Sequence, residues 1–244
     1  MTRPYRSDVL SDKLYFFHSS LFILLMELKN KKIAFLGDSI TEGCGVADMA
    51  NVYWNVIGRQ TGAQCFGYGI GGTRIAPQRV ITTQEAYETL YFASRVEDMI
   101  PDADVVVVFG GTNDYGHGDA PFGKIGDRDR GTFCGAVRWL MEYLTDKYPE
   151  ATIVFMTPAR RLGDLEPSTS VHRYYPSLPL KAYVDVIKET AKDYPIAVLD
   201  LYAELGIDPN QEADRVAYTA EGLHFNDAGH RVIAEKLQEF LLAL

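Results

Sequence analysis

Ile33-Ala34-Phe35-Leu36-Gly37-Asp38-Ser39-Ile40-Thr41 is the stretch from which the fold can be read. Four apolar residues followed at once by a glycine describe a buried strand that stops abruptly. In an α/β domain, the ends of such strands are where ligands sit. A serine on that turn, among backbone N–H groups freed by the chain reversal, is placed to attack a carbonyl. The same Gly-Asp-Ser suits a helix N-cap, because Ser, Asp and Thr are the usual capping residues. Alone it would be read as a cap. It acquires a chemical reading only through three other stretches far along the chain.

Outward from this strand, apolar periodicity marks the remaining elements. Tyr53 to Thr61 reads as a helix, with Val52, Val56 and Ile57 on its apolar side and Gly62 as its stop. Ala63 to Phe66 reads as a short strand opening into Gly67-Tyr68-Gly69-Ile70-Gly71-Gly72-Thr73. From Glu85 to Ile100, the residues Ala86, Leu90, Ala93, Val96 and Ile100 predict a helix closed by Pro101. Val105 to Phe109 is continuously apolar and β-branched, which suits a central parallel strand covered on both faces. Phe133, Ala136, Val137, Leu140, Met141, Leu144 and Tyr148 form the clearest amphipathic helix. Ala151 to Met156, Leu180 to Tyr194, Ile196 to Asp200 and a last helix from Ala228 complete the alternation. That order predicts a three-layer α/β/α domain: a five-stranded parallel sheet with helices on both faces. Two long connections, Asp114 to Arg130 and Pro158 to Pro179, leave the C-terminal ends of strands, where such sheets bind ligands.

Composition narrows the class. At 244 residues, the chain reads as one domain over residues 32–244 preceded by an extension, residues 1–31. Hydrophobic residues at 47% and charged residues at 23% are ordinary for a soluble globular protein, and a net charge of -9 argues against a nucleic-acid partner. Cys44, Cys65 and Cys134 are odd in number and lack metal-ligand spacing, so they read as reduced thiols in a cytoplasmic protein. Leu14 to Met26 is apolar but shorter than the roughly 20 residues that span a bilayer, and no small-residue cleavage site follows it. Leu14, Phe17, Leu21, Leu24, Leu25 and Leu28 recur at helical spacing, as in an amphipathic helix packed on the domain or on a second copy in a homo-oligomer. A translation start at Met26 is the other reading of this region. No stable membrane association is expected.

Gly67, Gly69 and Gly72 satisfy the spacing of a dinucleotide fingerprint, but Pro77 stands where the required helix should be running. These glycines are read instead as letting a backbone N–H approach a developing oxyanion. Gly110-Gly111-Thr112-Asn113-Asp114 ends the central strand; Asn113 suits a turn, or an amide N–H aimed at the same oxygen. In Glu221-Gly222-Leu223-His224, acid and imidazole three residues apart would share one side of a helical turn, letting the carboxylate hold the ring. Cys44 lies near Ser39 but has no accompanying His motif, and His18 and His230 read as surface or packed residues. His117 and His172 sit on the two long connections, within reach of a substrate.

These four motifs in this order resemble the SGNH hydrolase superfamily, the GDSL-type esterases and lipases. The resemblance runs from about Lys32 to the C-terminus. It implies a flavodoxin-like sheet, with Ser39 as nucleophile, His224 as general base and Glu221 as the orienting acid. It further implies an oxyanion hole from the Ser39 and Gly72 N–H groups and the Asn113 amide, with Gly71 as the other register. Neither metal nor cofactor is implied. Two departures stand out: Glu221 replaces the usual Asp, and Gly67 stands where many relatives have Asn. Position 41 is Thr, so the Gly-x-Ser-x-Gly elbow of α/β-hydrolases is missing. The expected activity is hydrolysis of short acyl esters, with O-acetyl groups on carbohydrate in view. An acyltransferase, a lysophospholipase and a non-catalytic flavodoxin-like module are the alternatives. Asp38, Tyr68, Tyr115, His117 and Phe225 are the candidate substrate contacts, with Phe122 as a further aromatic wall. Arg160, Arg161 and Arg173 are candidates for an anionic group.

Overall fold

The computed structural model describes residues 28–78, 91–170 and 175–244. The expected N-terminal helix up to Leu28, the Met26 start, His18, His172, Arg173 and the first part of the Glu85–Ile100 helix lie outside the described residues. Five strands form one sheet: β1 (Lys32–Gly37), β2 (Gln64–Gly69), β3 (Val105–Phe109), β4 (Thr152–Met156) and β5 (Ile196–Leu199). All neighbours are parallel, in the order β2-β1-β3-β4-β5. The chain leaves β1 to one side and returns to β3 on the other, so connections diverge between the ends of β1 and β3. That is the crevice where doubly wound sheets place ligands. The register levels this edge, with Gly37 opposite Gly69 on one side and Phe109 on the other.

The strand residues alternate between two cores, as pleated strands require. Ile33, Phe35, Val105, Val107, Val154 and Met156 face α2 (Tyr53–Thr61) and α9 (Asp227–Ala243), meeting Val56, Ile57, Ile233 and Leu237. Ala34, Leu36, Val106, Val108, Ile153 and Phe155 face α3 (Phe92–Arg95), α5 (Phe133–Lys147) and α6 (Leu180–Ala191). The short helices α1 (Ser39–Glu42), α4 (Thr112–His117), α7 (Leu201–Glu204) and α8 (Glu212–Tyr218) all follow strand ends or border that edge. No helix among the described residues is long and apolar enough to cross a membrane.

Two elements differ from their sequence reading. β2 does not stop at Phe66 but continues to Gly69. It can do so because its glycines clear its neighbours: a Cβ on Gly67 would lie 2.6 Å from the Trp54 ring, and one on Gly69 would lie 2.1 Å from the Glu42 backbone nitrogen. The described end of the Glu85–Ile100 helix is one α-turn, Phe92–Arg95, continued as 3₁₀ through Asp98. The tighter 3₁₀ turn shifts the inward stripe to Phe92, Val96 and Met99, leaving Ala93 and Ile100 half-buried.

His230 on α9 is fully buried and stacked on Tyr53, with centroids 6.0 Å apart and planes 4° from parallel. Its Nδ1 accepts the Tyr53 backbone N–H at 3.3 Å, and its Nε2 is buried without a hydrogen-bond partner among the described residues. Burial pushes its pKa from 6.5 down to about 4, with the His224 side adding to the drop and Asp227 opposing it. The unfolded chain therefore takes up the proton first on acidification. The contribution of His230 to stability is fully present above pH 6.5 and is lost toward pH 4, a change on the order of 3 kcal/mol. Melting temperatures measured between these limits should fall more steeply for the wild type than for His230→Phe, which keeps the stacking but cannot take up a proton.

Candidate active site

Ser39 is the first residue of α1, directly after β1, and is 6% exposed. Asp38 caps the helix, its carboxylate accepting the Ile40 N–H at 3.0 Å. Gly43, at φ 102°, ends it after one turn. Gly37 and Gly69 let this turn sit on the strand ends: a Cβ on Gly37 would come 1.9 Å from Thr41 Oγ1. Trp54 Nε1 donates to the Thr41 carbonyl at 2.8 Å, so the short helix is held at both ends. Asp38 is sealed beneath the serine. Burial pushes its carboxyl up to about 7, the Ile40 N–H opposes this, and the neighbouring Asp114 adds to it.

The imidazole comes from a turn before α9. Glu221 and His224 do not share a helical turn. They lie in an irregular loop closed by an antiparallel bridge between Thr219 and Phe225, with Gly222 at φ 94°. Here one Glu221 oxygen accepts both the His224 backbone N–H at 3.1 Å and Nδ1–H at 2.6 Å. The longer acid reaches the ring because the loop folds back on itself. A carboxylate only accepts, so Nδ1 carries the proton and Nε2 is left as acceptor. Nε2 stands 2.9 Å from Ser39 Oγ, across 185 residues of sequence. Asp227 clamps the two segments together: its oxygens accept the Ala47 N–H and the Asn51 amide, each at 2.9 Å. Gly45 completes the fit, since a Cβ there would lie 2.5 Å from the Phe225 carbonyl oxygen.

The third component is the loop after β2. Gly71 N–H donates to Glu42 Oε2 at 2.8 Å, so that register is occupied. Gly72, at φ 73°, has an N–H with no acceptor among the described residues. Asn113 Nδ2 donates to the Thr73 carbonyl at 2.9 Å. Asp114 accepts the Ile75 and Ala76 N–H groups, each at 2.9 Å, and its own carboxyl is raised by burial. Sequence reasoning missed Arg95. Its guanidinium, 4% exposed, donates to the carbonyls of Tyr68 (2.6 Å) and Gly37 (3.1 Å) and to Thr73 Oγ1 (2.9 Å). The signal available was a charged residue beside Phe92 and Val96 in an otherwise inward-facing stripe.

The expected substrate contacts are otherwise engaged. Phe225 is 1% exposed and packs at the edge of the His230 ring, with no surface for a ligand. Tyr68 turns its hydroxyl to the Ile100 N–H at 2.9 Å. Tyr115 is buried and donates to the Gly163 and Glu166 carbonyls. Phe122 packs against Phe133 and Tyr183. Asp38 is a helix cap, and His117 Nε2 lies 3.2 Å from Asn113 Oδ1. Arg160 is paired with Asp164 and Asp208, whereas Arg161 stacks on Tyr115 and donates to Thr112. Cys44 is disfavoured as a thiolate, because burial and then Glu42 raise its pKa. Among the described residues, no cluster of three or more His, Cys, Asp or Glu side chains could hold a metal ion.

A parallel α/β/α sheet carrying Ser39, Asn113 and His224 at one edge defines a hydrolase of the esterase and lipase type. The particular family follows from comparison. The model of the GDSL-like lipase/acylhydrolase family matches residues 35–232, and the chain belongs to that family. One solved crystal structure is 34% identical, with a TM-score of 0.76, covering 89% of this chain and 98% of that one. A protein from Lactobacillus plantarum is 31% identical, with a TM-score of 0.71 and coverage of 88% and 98%. An acetyl xylan esterase shares the fold at 23% identity, with a TM-score of 0.59 and coverage of 86% and 99%. No curated protein matches the chain.

Arg95 should matter for stability and for the site together. Arg95→Met leaves the Tyr68 and Gly37 carbonyls without that donor and should cost roughly 3 kcal/mol. Denaturant unfolding would measure this, and the same variant should react more slowly with a fluorophosphonate because the loop at Thr73 loosens.

Proposed function

We propose that the protein is a serine esterase acting on short acyl esters through an acyl-enzyme. The observation that carries this reading is the continuous chain Glu221–His224–Ser39, with contacts of 2.6 and 2.9 Å and the imidazole tautomer set by its acid. His224 Nε2 takes the hydroxyl proton as Ser39 Oγ bonds to the ester carbonyl carbon. The N–H groups of Ser39 and Gly72 and the Asn113 amide receive the negative charge that develops on the carbonyl oxygen. The imidazolium then gives its proton to the leaving alcohol as the carbon–oxygen bond breaks. Water repeats the sequence on the acyl-enzyme and restores Ser39.

A short acyl group is supported by the aromatic side chains around the site. Tyr68, Tyr115 and Phe225 are committed to the protein itself, so they form no trough for a long chain. Exposed Glu42 and half-exposed Glu221 give the rim a polar character that suits an alcohol such as a sugar hydroxyl. Three free thiols support a reducing, cytoplasmic setting.

Ser39→Ala should lower kcat on a chromogenic acetyl ester by roughly 10⁴-fold or more. Undiminished turnover would remove Ser39 from the mechanism. Glu221→Ala should cost less, about 10²-fold, because a half-exposed carboxylate is screened by solvent and the ring keeps its contact with Ser39. Equal losses in the two variants would contradict that ranking. Across an acyl series with the same leaving group, kcat/KM should be highest for acetyl and fall as the chain lengthens; a preference for decanoyl esters would overturn the short-acyl reading.

A further inference from the structure

Resting on the reading of Asn113 as an oxyanion donor, the geometry points to His117 as the positioning residue that fixes which end of the Asn113 amide faces the reacting oxygen. The two residues are one turn apart on α4, where side chains four positions apart meet. Asn113 Nδ2 lies 2.9 Å from the Thr73 carbonyl oxygen, and Asn113 Oδ1 lies 3.2 Å from His117 Nε2. A backbone carbonyl can only accept, so the amide meets Thr73 with its NH₂ group. The amide oxygen then faces His117 and also can only accept, so Nε2 of His117 carries a proton in this arrangement.

The consequence is chemical. An amide has two orientations related by a half-turn, and they exchange an NH₂ donor for a lone-pair acceptor. In the observed one, Thr73 uses one hydrogen of the NH₂ and the other is available to a developing oxyanion. In the flipped one, the amide oxygen would meet both the Thr73 carbonyl and the negative charge, and would repel each. Thr73 and His117 therefore select the same orientation from opposite sides of the side chain. Asn113 is 4% exposed, so water is poorly placed to substitute for either partner. His117 is itself tied to the loop it serves, since Arg74 Nη1 donates to its carbonyl at 3.2 Å.

The test uses a fluorophosphonate, whose phosphoryl oxygen enters the hole as Ser39 attacks, so the labelling rate reports the hole whatever the natural ester is. His117→Ala should label about ten- to a hundredfold more slowly, part or most of the effect of losing one oxyanion donor. Its kcat on an acetyl ester should fall by the same factor while KM stays within about threefold. His117→Gln places an N–H where Nε2 stood and should recover most of the loss. His117→Leu, closer in volume, replaces the alanine variant should that one lose its fold. Labelling of the alanine or leucine variant at the wild-type rate would overturn the inference. So would a glutamine variant no faster than alanine, or a rise in KM in place of the fall in kcat, which would mark a direct substrate contact. Wild-type protein that is not labelled at Ser39 would remove the esterase reading and this inference with it, whereas labelled wild type beside an unaffected His117→Ala removes only the role of His117.

Discussion

The guanidinium of Arg95 is the constraint on which the C-terminal edge of the sheet depends. Parallel strands end in a row of carbonyls and loops that must diverge, and divergence leaves buried acceptors without partners. Arg95 answers three of them at once, one on β1, one on β2 and one on the glycine loop. Burial lowers its pKa to about 10, and Asp38 is the first of the charges that oppose the drop. The planar fork of the side chain is what permits this; a lysine presents a point charge and could not serve three acceptors in these directions.

Around that anchor, the four separated motifs share a division of labour. Asp38, Asp114, Asn226 and Asp227 each satisfy backbone N–H groups, either capping a helix or stitching a loop to its neighbour. The segments that carry Ser39 and His224 are therefore held by side chains engaged with backbone N–H groups. The acidic character of the site follows from this use of carboxylates as acceptors. Two of them, Asp38 and Asp114, are buried near each other and are both pushed toward the protonated form. The replacement of the family's usual Asp by Glu221 is absorbed in the same way. One carboxylate oxygen takes a backbone and a ring N–H together, so the extra methylene is used to close the loop rather than to displace the imidazole.

Much of this was legible in the chain. Continuous apolar runs such as Val105–Phe109 mark strands covered on both faces, and their alternation with helices leaves few topologies. Gly37-Asp38-Ser39 and Asn113 could be placed at strand ends, and the structure brings Ser39 to His224. What could not be read was direction. Tyr68, Tyr115 and Phe225 stand beside the motifs in sequence, but the Tyr68 hydroxyl meets the Ile100 N–H, the Tyr115 hydroxyl meets the Gly163 and Glu166 carbonyls, and Phe225 is buried. The helical pairing of Glu221 and His224 failed because a spacing of three also fits a tight irregular loop, and Gly222 at positive φ favours the loop. Arg95 stayed hidden because a buried cation is justified only by acceptors from distant segments, which no local pattern displays.

The placement of Ser39 and His224 has a consequence for the chain during its own synthesis. Ser39 opens the short helix that follows the first strand of the sheet, but the imidazole it meets lies 185 residues later, just before α9. A nascent chain emerging from the ribosome can bury β1, β2 and β3 and already display the hydroxyl and the glycine loop. The imidazole of His224 can meet that hydroxyl only once the turn before α9 has docked. The contact between Ser39 and His224 is thus made only after all five strands of the sheet have been synthesised.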